Sequence, residues 1–206
     1  MTGIQEEKET GRLEAFSDGV FAIAITLLVL EIKAPSHESV QQHGLAHLLA
    51  ALWPSYLAFF TSFITILVMW VNHHHIFTLI RRSDHAFLYL NGLLLFLVTF
   101  VPFPTSLLAE FLLDPDGKVA ANLYTGTFLA ISFAFNLLWR YAAKGKRLLA
   151  AGAKREEVDQ ISKLGRTGFP LYLAAFGASF VSESASIGIC LLLALYFALR
   201  GWPIKT

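Results

Sequence analysis

Apolar residues in this chain fall into long blocks separated by short polar segments. The first block runs from Leu13 to Ile32, residues 13–32. The second, "PSYLAFFTSFITILVMWVNHHHIFTLI", runs from Pro54 to Ile80, residues 54–80. Four more occupy residues 86–108, 119–141, 165–181 and 186–199. A helix rises 1.5 Å per residue, so crossing a hydrocarbon core about 30 Å thick takes roughly 20 residues. All but the last block come near that length, and the last can borrow from Ser182–Ala185 or from Gly201–Trp202. The pattern predicts an all-α, polytopic membrane protein in which residues 1–206 form a single unit with six transmembrane helices. Pro102 and Pro104 each remove a backbone donor inside the third block, so that helix is expected to kink or stop near them.

The polar segments set the orientation. Of sixteen lysines and arginines, all but Lys33 and Lys118 fall on one side of the six-span arrangement, eight of them between Arg140 and Arg166. Positive charge marks the cytoplasmic side. Both termini are therefore expected in the cytoplasm, and the chain in a cell inner (plasma) membrane. The opening "MTGIQEEKET" carries no positive cluster ahead of an apolar core, so the first helix is expected to be retained. Residues 142–164 form the one polar insertion. They read either as an amphipathic helix on the cytoplasmic surface, with lysines against anionic lipid, or as a solvated loop that sets topology.

Composition narrows the function. Of 206 residues, 55% are hydrophobic and 15% charged, against about a quarter charged in soluble domains. A net charge of +1 argues against nucleic acid, whose binders carry a basic excess. The lone Cys190 sits within an apolar block and reads as a small core residue. No nucleophile stands beside a base at a recognisable spacing, so an enzyme is not expected. Nor does the sequence identify a cofactor or a small-molecule substrate.

The first block begins "RLEAFSDGVFAIAITLLVLEIKAP". Ser17 and Asp18 could cap a helix, but a helix starting there would have too few residues left to span. Started near Arg12, the helix carries Ser17 and Asp18 two turns inside the membrane, where a carboxylate needs a partner. At 100° per residue, Arg12, Phe16, Gly19, Ile23, Leu27 and Leu30 line up on one stripe, while Glu14 and Asp18 point nearly opposite. The second helix brings Trp70, Asn72, His73, His74 and His75 to similar depth, and the third brings Asn91. A hydrogen-bonded network among Arg12, Ser17, Asp18, Trp70, Asn91 and the histidines would fix how three helices pack. Three consecutive histidines point 100° apart and cannot share one ion. His43 and His47 have the i, i+4 spacing of a zinc pair but no evident third ligand, so no metal site is expected.

The R-x-x-x-F-S-D-G run from Arg12 to Gly19 at the head of the first of six spans, with the Trp/His end of the second and "LVTFVPFPTSLL" in the third, resembles transmembrane protein 175, a family of potassium channels. The resemblance implies a homotetramer of six-helix units, with the first helix lining a central pore and potassium as the permeant ion. It places the pore-lining apolar layers on Ile23, Leu27 and Leu30, and the motif that holds the helix on Arg12, Phe16, Ser17 and Asp18. No T-V-G-Y-G filter occurs in the chain, so potassium selectivity is expected to be modest and to arise at the apolar constriction. The alternatives are a proton-coupled secondary transporter using Asp18 and the His73–His75 cluster, or an assembly protein without transport.

Overall fold

The structure, a computed structural model, describes residues 3–200, with side chains for residues 10–199. Lys205 and the Gly201–Trp202 extension lie outside the described residues. The described residues are helical almost throughout, and the helices are α1 (Gly3–Leu27), α2 (His37–His43), α3 (Leu45–Ala51), α4 (Trp53–Leu79), α5 (His85–Phe100), α6 (Pro102–Phe111), α7 (Gly117–Ala143), α8 (Arg155–Ser179) and α9 (Glu183–Arg200). A 3-10 turn, Leu28–Glu31, extends α1. Among the described residues, four stretches are long and apolar enough to cross a membrane: Thr10–Glu31, Trp53–Leu79, His85–Phe111 and Gly117–Lys146. They correspond to the first four expected blocks.

The proline expectation holds in form. α5 stops at Phe100 and α6 restarts with Pro102 in its first turn, where the missing N–H has no helical partner to lose. Val101 between them keeps helical dihedrals. The chain therefore bends and continues to Phe111, three residues past the expected end.

The polar insertion differs from expectation. Residues 142–164 are not one excursion. Ala142 and Ala143 close α7, and a tight turn follows in which Gly145 and Lys146 adopt φ of 64° and 56°. The loop is then pinned to the end of α4: Arg81 N–H and Arg82 N–H donate to Leu148 O (3.0 and 3.3 Å), and Ala150 N–H donates to Leu79 O (2.9 Å). From Arg155 the chain is already α8, which runs unbroken past Pro170 to Ser179. The fifth helix thus starts ten residues before its apolar block, because the "REEVDQISK" turns satisfy their backbone helically while facing their charges outward. Pro170 lies inside it without ending it.

The connection between α1 and α4 also corrects the histidine spacing. Ser36 caps α2, accepting from Ser39 N–H at 3.2 Å, and Gly44 breaks the run with φ of 77°. His43 and His47 fall on separate short helices, so the i, i+4 relation is lost.

Two sets of helices pack together. α1 lies against α4 and α5, while α7 is gripped by α8, α5, α6 and α9. The core is aromatic-rich, with Phe21, Phe87, Tyr124 and Phe128 essentially inaccessible. Gly165 lets α8 approach α7: a Cβ there would meet Asn136 Oδ1 at 2.6 Å.

Candidate functional site

The helix α1 has two unlike faces. Thr10, Ser17, Phe21, Ala24 and Leu28 are buried, spaced by sevens, fours and threes as one helical face requires. On the other side Phe16, Ile23, Leu27 and Leu30 are 64, 58, 40 and 69% exposed. Leu30 falls in the 3-10 turn, where side chains three apart eclipse, so Leu27 and Leu30 stand over one another. Only 22% of the apolar stretch of α1 is buried, against 39 to 50% for the other three long apolar stretches. The helix at the edge of the protomer is the one with the polar anchors.

Those anchors form two adjacent groups. In the buried one, Ser17 Oγ donates to Leu13 O (2.8 Å) and accepts from Asn91 Nδ2 (3.0 Å). That orientation of the amide leaves Asn91 Oδ1 to accept from His73 Nε2–H, at 2.9 Å. His73 therefore carries its proton on Nε2, and Nδ1 is buried without a hydrogen-bond partner among the described residues. Its ring is fixed by Phe77, stacked at 4.4 Å between centroids, and by Phe21 at 5.3 Å. One amide thus ties α1, α4 and α5 together.

The second group lies beside the first, on the Glu14/Asp18 side of α1. Trp70 Nε1–H donates to Asp18 Oδ1 (2.8 Å), and Glu14 Oε1 pairs with His74 Nδ1 (3.0 Å). Ligand atoms of Glu14, Asp18 and His74 lie within 4.8 Å of one another. Each group already holds a partner and His74 is exposed, so the arrangement reads as hydrogen-bonded pairs and not as an assembled cation cage.

The structure thus joins Ser17, His73 and Asn91, and beside them Asp18, Trp70 and His74. It separates the other residues expected there. Arg12 is exposed and makes no hydrogen bond or ion pair among the described residues. Phe16 lies on the exposed stripe. His75 and Asn72 turn to the far side of α4, toward α7 and α8. A relay through Asp18 and all three histidines is therefore not assembled: His74 pairs with a carboxylate, His73 bonds the Asn91 amide, and His75 faces away. Glu14 is the residue the sequence reading left out of the network, although it stands one turn before Asp18 on the same face. Two further polar clusters were also missed. Ser62 bonds Thr105 (2.8 Å) and Tyr124 (3.0 Å), and Ser179 joins Asn122 and Thr125. Hydroxyls recurring at helical spacing inside apolar blocks were the available signal.

Comparison with known proteins places this arrangement. A family profile described as "Endosomal/lysosomal potassium channel TMEM175" matches residues 12–102, the segment that holds α1, α4 and α5 and so every member of both groups. A protein of Chamaesiphon minutus, named a potassium channel, is 64% identical over 200 residues, covering 97% of this chain and 98% of its own. The chain belongs to the TMEM175 family. Another TMEM175-like relative, a protein of Streptomyces collinus also named a potassium channel, is 43% identical over 96% of each chain. Among solved structures, a crystal structure titled as a lysosomal potassium-selective channel TMEM175 homolog from Chamaesiphon minutus superposes with a TM-score of 0.88 at 62% identity, over 94% of this TMEM175 chain and 98% of that one.

Proposed function

We propose that this TMEM175 member is a modestly selective potassium channel: a homotetramer of six-span subunits in the plasma membrane, with both termini cytoplasmic and α1 of each copy lining the pore. The observation that carries the reading is the division of α1. Its Ser17/Asp18 face is locked to α4 and α5, while Ile23, Leu27 and Leu30 stay exposed on the opposite face. The names of its relatives point the same way. Four such stripes around an axis would make stacked apolar rings, which conduct when wide enough to stay wet and close by dewetting when narrow. Thr26 donates its hydroxyl back to Ile23 O at 2.9 Å, so it adds little polarity to the ring and leaves the constriction apolar. Phe16, at the cytoplasmic end of the stripe, would line the entrance. Asp18, Ser17, Trp70, His73, His74 and Asn91 would hold the pore helix in register.

Flux in liposomes containing only the purified protein tests this. A potassium gradient should drive flux more strongly than a sodium gradient does. Ile23→Ala should raise flux and narrow the gap between the two ions. Silence to every cation from folded, oligomeric protein, or an Ile23→Ala variant with unaltered flux and selectivity, would overturn the reading.

A further inference from the structure

On the side of α4 away from α1, a cavity of about 440 Å³ opens between α4, α7, α8 and α9. Tightly packed interiors leave few voids larger than a water molecule, and this volume falls in the ~300–1,000 Å³ range of ligand pockets. Its lining is mostly apolar, with Met69, Ile131, Tyr172 and Phe197 in it. It also holds His75, Asn136, Gln160 and Lys163, of which Gln160 and Lys163 are exposed. Along α4 the lining runs from Thr65 to Ile76, about 17 Å at 1.5 Å per residue. Asn72 and His75 lie toward the end of α4 that leads to Arg81, while Thr65 at the other end turns its hydroxyl back to Thr61 O. Lys163 is exposed at the mouth, and its ammonium makes no ion pair among the described residues. An apolar channel with one cationic, donor-rich mouth fits an amphiphile entered tail first.

We propose that this cavity seats one acyl chain of an anionic phospholipid from the cytoplasmic leaflet, with Lys163 holding the phosphate and the second chain left in the bilayer. The leaflet rests on the orientation given under Proposed function. A diacyl lipid fits better than a wholly buried ligand because the pocket accommodates one chain and Gln160 and Lys163 in its lining are exposed. The Lys163 ammonium selects the headgroup by charge, and His75 and Gln160 offer further donors beside it. Such a lipid would brace α8, whose first turns are polar, against α4 and α7. The pore face of α1 is on the other side of α4, so occupancy would act on the scaffold and leave the constriction untouched.

The test is native mass spectrometry of the full-length protein, first as purified in mild detergent, then delipidated and titrated with phosphatidylglycerol or phosphatidylcholine. The parent should retain one phospholipid per chain and bind phosphatidylglycerol at least tenfold more tightly than phosphatidylcholine. Lys163→Glu should erase that preference. Val68→Trp, which fills the apolar channel, should reduce binding of both lipids at least tenfold. A parent that binds no phospholipid, or retains only free fatty acid, would overturn the proposal, as would both variants binding like the parent. Potassium flux from the same preparations separates the two readings. Lipid binding without flux leaves the cavity assignment standing and defeats the channel. Flux without lipid binding does the reverse.

Discussion

At the scale of single residues, the partner that Asp18 has decides what removing it costs. Its Oδ1 accepts from the Trp70 indole, one of several partners the expected network offered beside Arg12 and the histidines. Arg12 sits near the end of a membrane helix, and a long basic side chain there reaches out to water and headgroups. Removing Asp18 therefore strands a neutral N–H and no buried cation. Asp18→Ala should cost about 1–3 kcal/mol, less than the roughly 3–5 kcal/mol of a stranded buried charge. Asp18→Asn, which keeps an acceptor, should be milder. Thermal unfolding followed by size-exclusion chromatography would rank the two, and an Asn variant no better than Ala would refute the Trp70 bond as the reason. Asn91 is the more exposed to damage in this sense, because it serves Ser17 and His73 together. The two faces of α1 were legible in the sequence, since 100° per residue separates Asp18 from Ile23 whatever surrounds the helix. Which of three adjacent histidines meets Asn91 was not, because that depends on the rotation of α4 about its axis.

At the scale of elements, the join between α4 and α5 is held by one carboxylate. Asp84 caps α5 by accepting from Phe87 N–H (2.9 Å), and its other oxygen accepts from Tyr141 Oη (2.8 Å) and Arg147 Nη2 (2.9 Å). It thereby ties α7 and the basic loop to the start of α5. The Phe87 N–H bond, followed by the Tyr141 bond and the Arg147 charge, holds the Asp84 carboxyl below its ordinary value near 3.8. Its folded pKa is depressed, so the stability it contributes is present above the unfolded value and is lost as pH falls through the folded one. The clasp should be indifferent to pH from 8 down to about 5 and weaken only below about 4. In Asp84→Ala, that acid-side loss should vanish from a plot of melting temperature against pH, and the whole curve should drop by the equivalent of about 0.5–2 kcal/mol for a lost cap. A parent curve that already fell between pH 7 and 5 would assign the acid sensitivity elsewhere. The four long apolar helices and the proline bend were readable from block length and backbone chemistry. The start of α8 was not, because its first three turns are charged and an amphipathic helix lying on a surface has the same pattern as one that continues into a bundle.

At the scale of the whole molecule, the exposed stripe of α1 has to meet lipid or other copies of itself, and the chain provides a clean way to tell. Cys190 is its only cysteine and is buried, so Cys190→Ala gives a background without thiols. Ile23→Cys in that background places a thiol on the exposed face, and Ala24→Cys places one on the face packed inside the protomer. If four stripes enclose a pore, a short bismaleimide should link Ile23→Cys subunits within membranes, with covalent dimers appearing on a denaturing gel. Ala24→Cys should give none. The contrast controls for expression and for chance collision, since the two positions are adjacent in sequence and share a depth in the bilayer. Equal linking at both positions would mean random encounter. No linking at Ile23, from protein that links at Leu27→Cys or Leu30→Cys, would move the narrowest part of the pore toward the 3-10 turn. Absence at all three would turn the stripe outward to lipid and remove α1 from the axis.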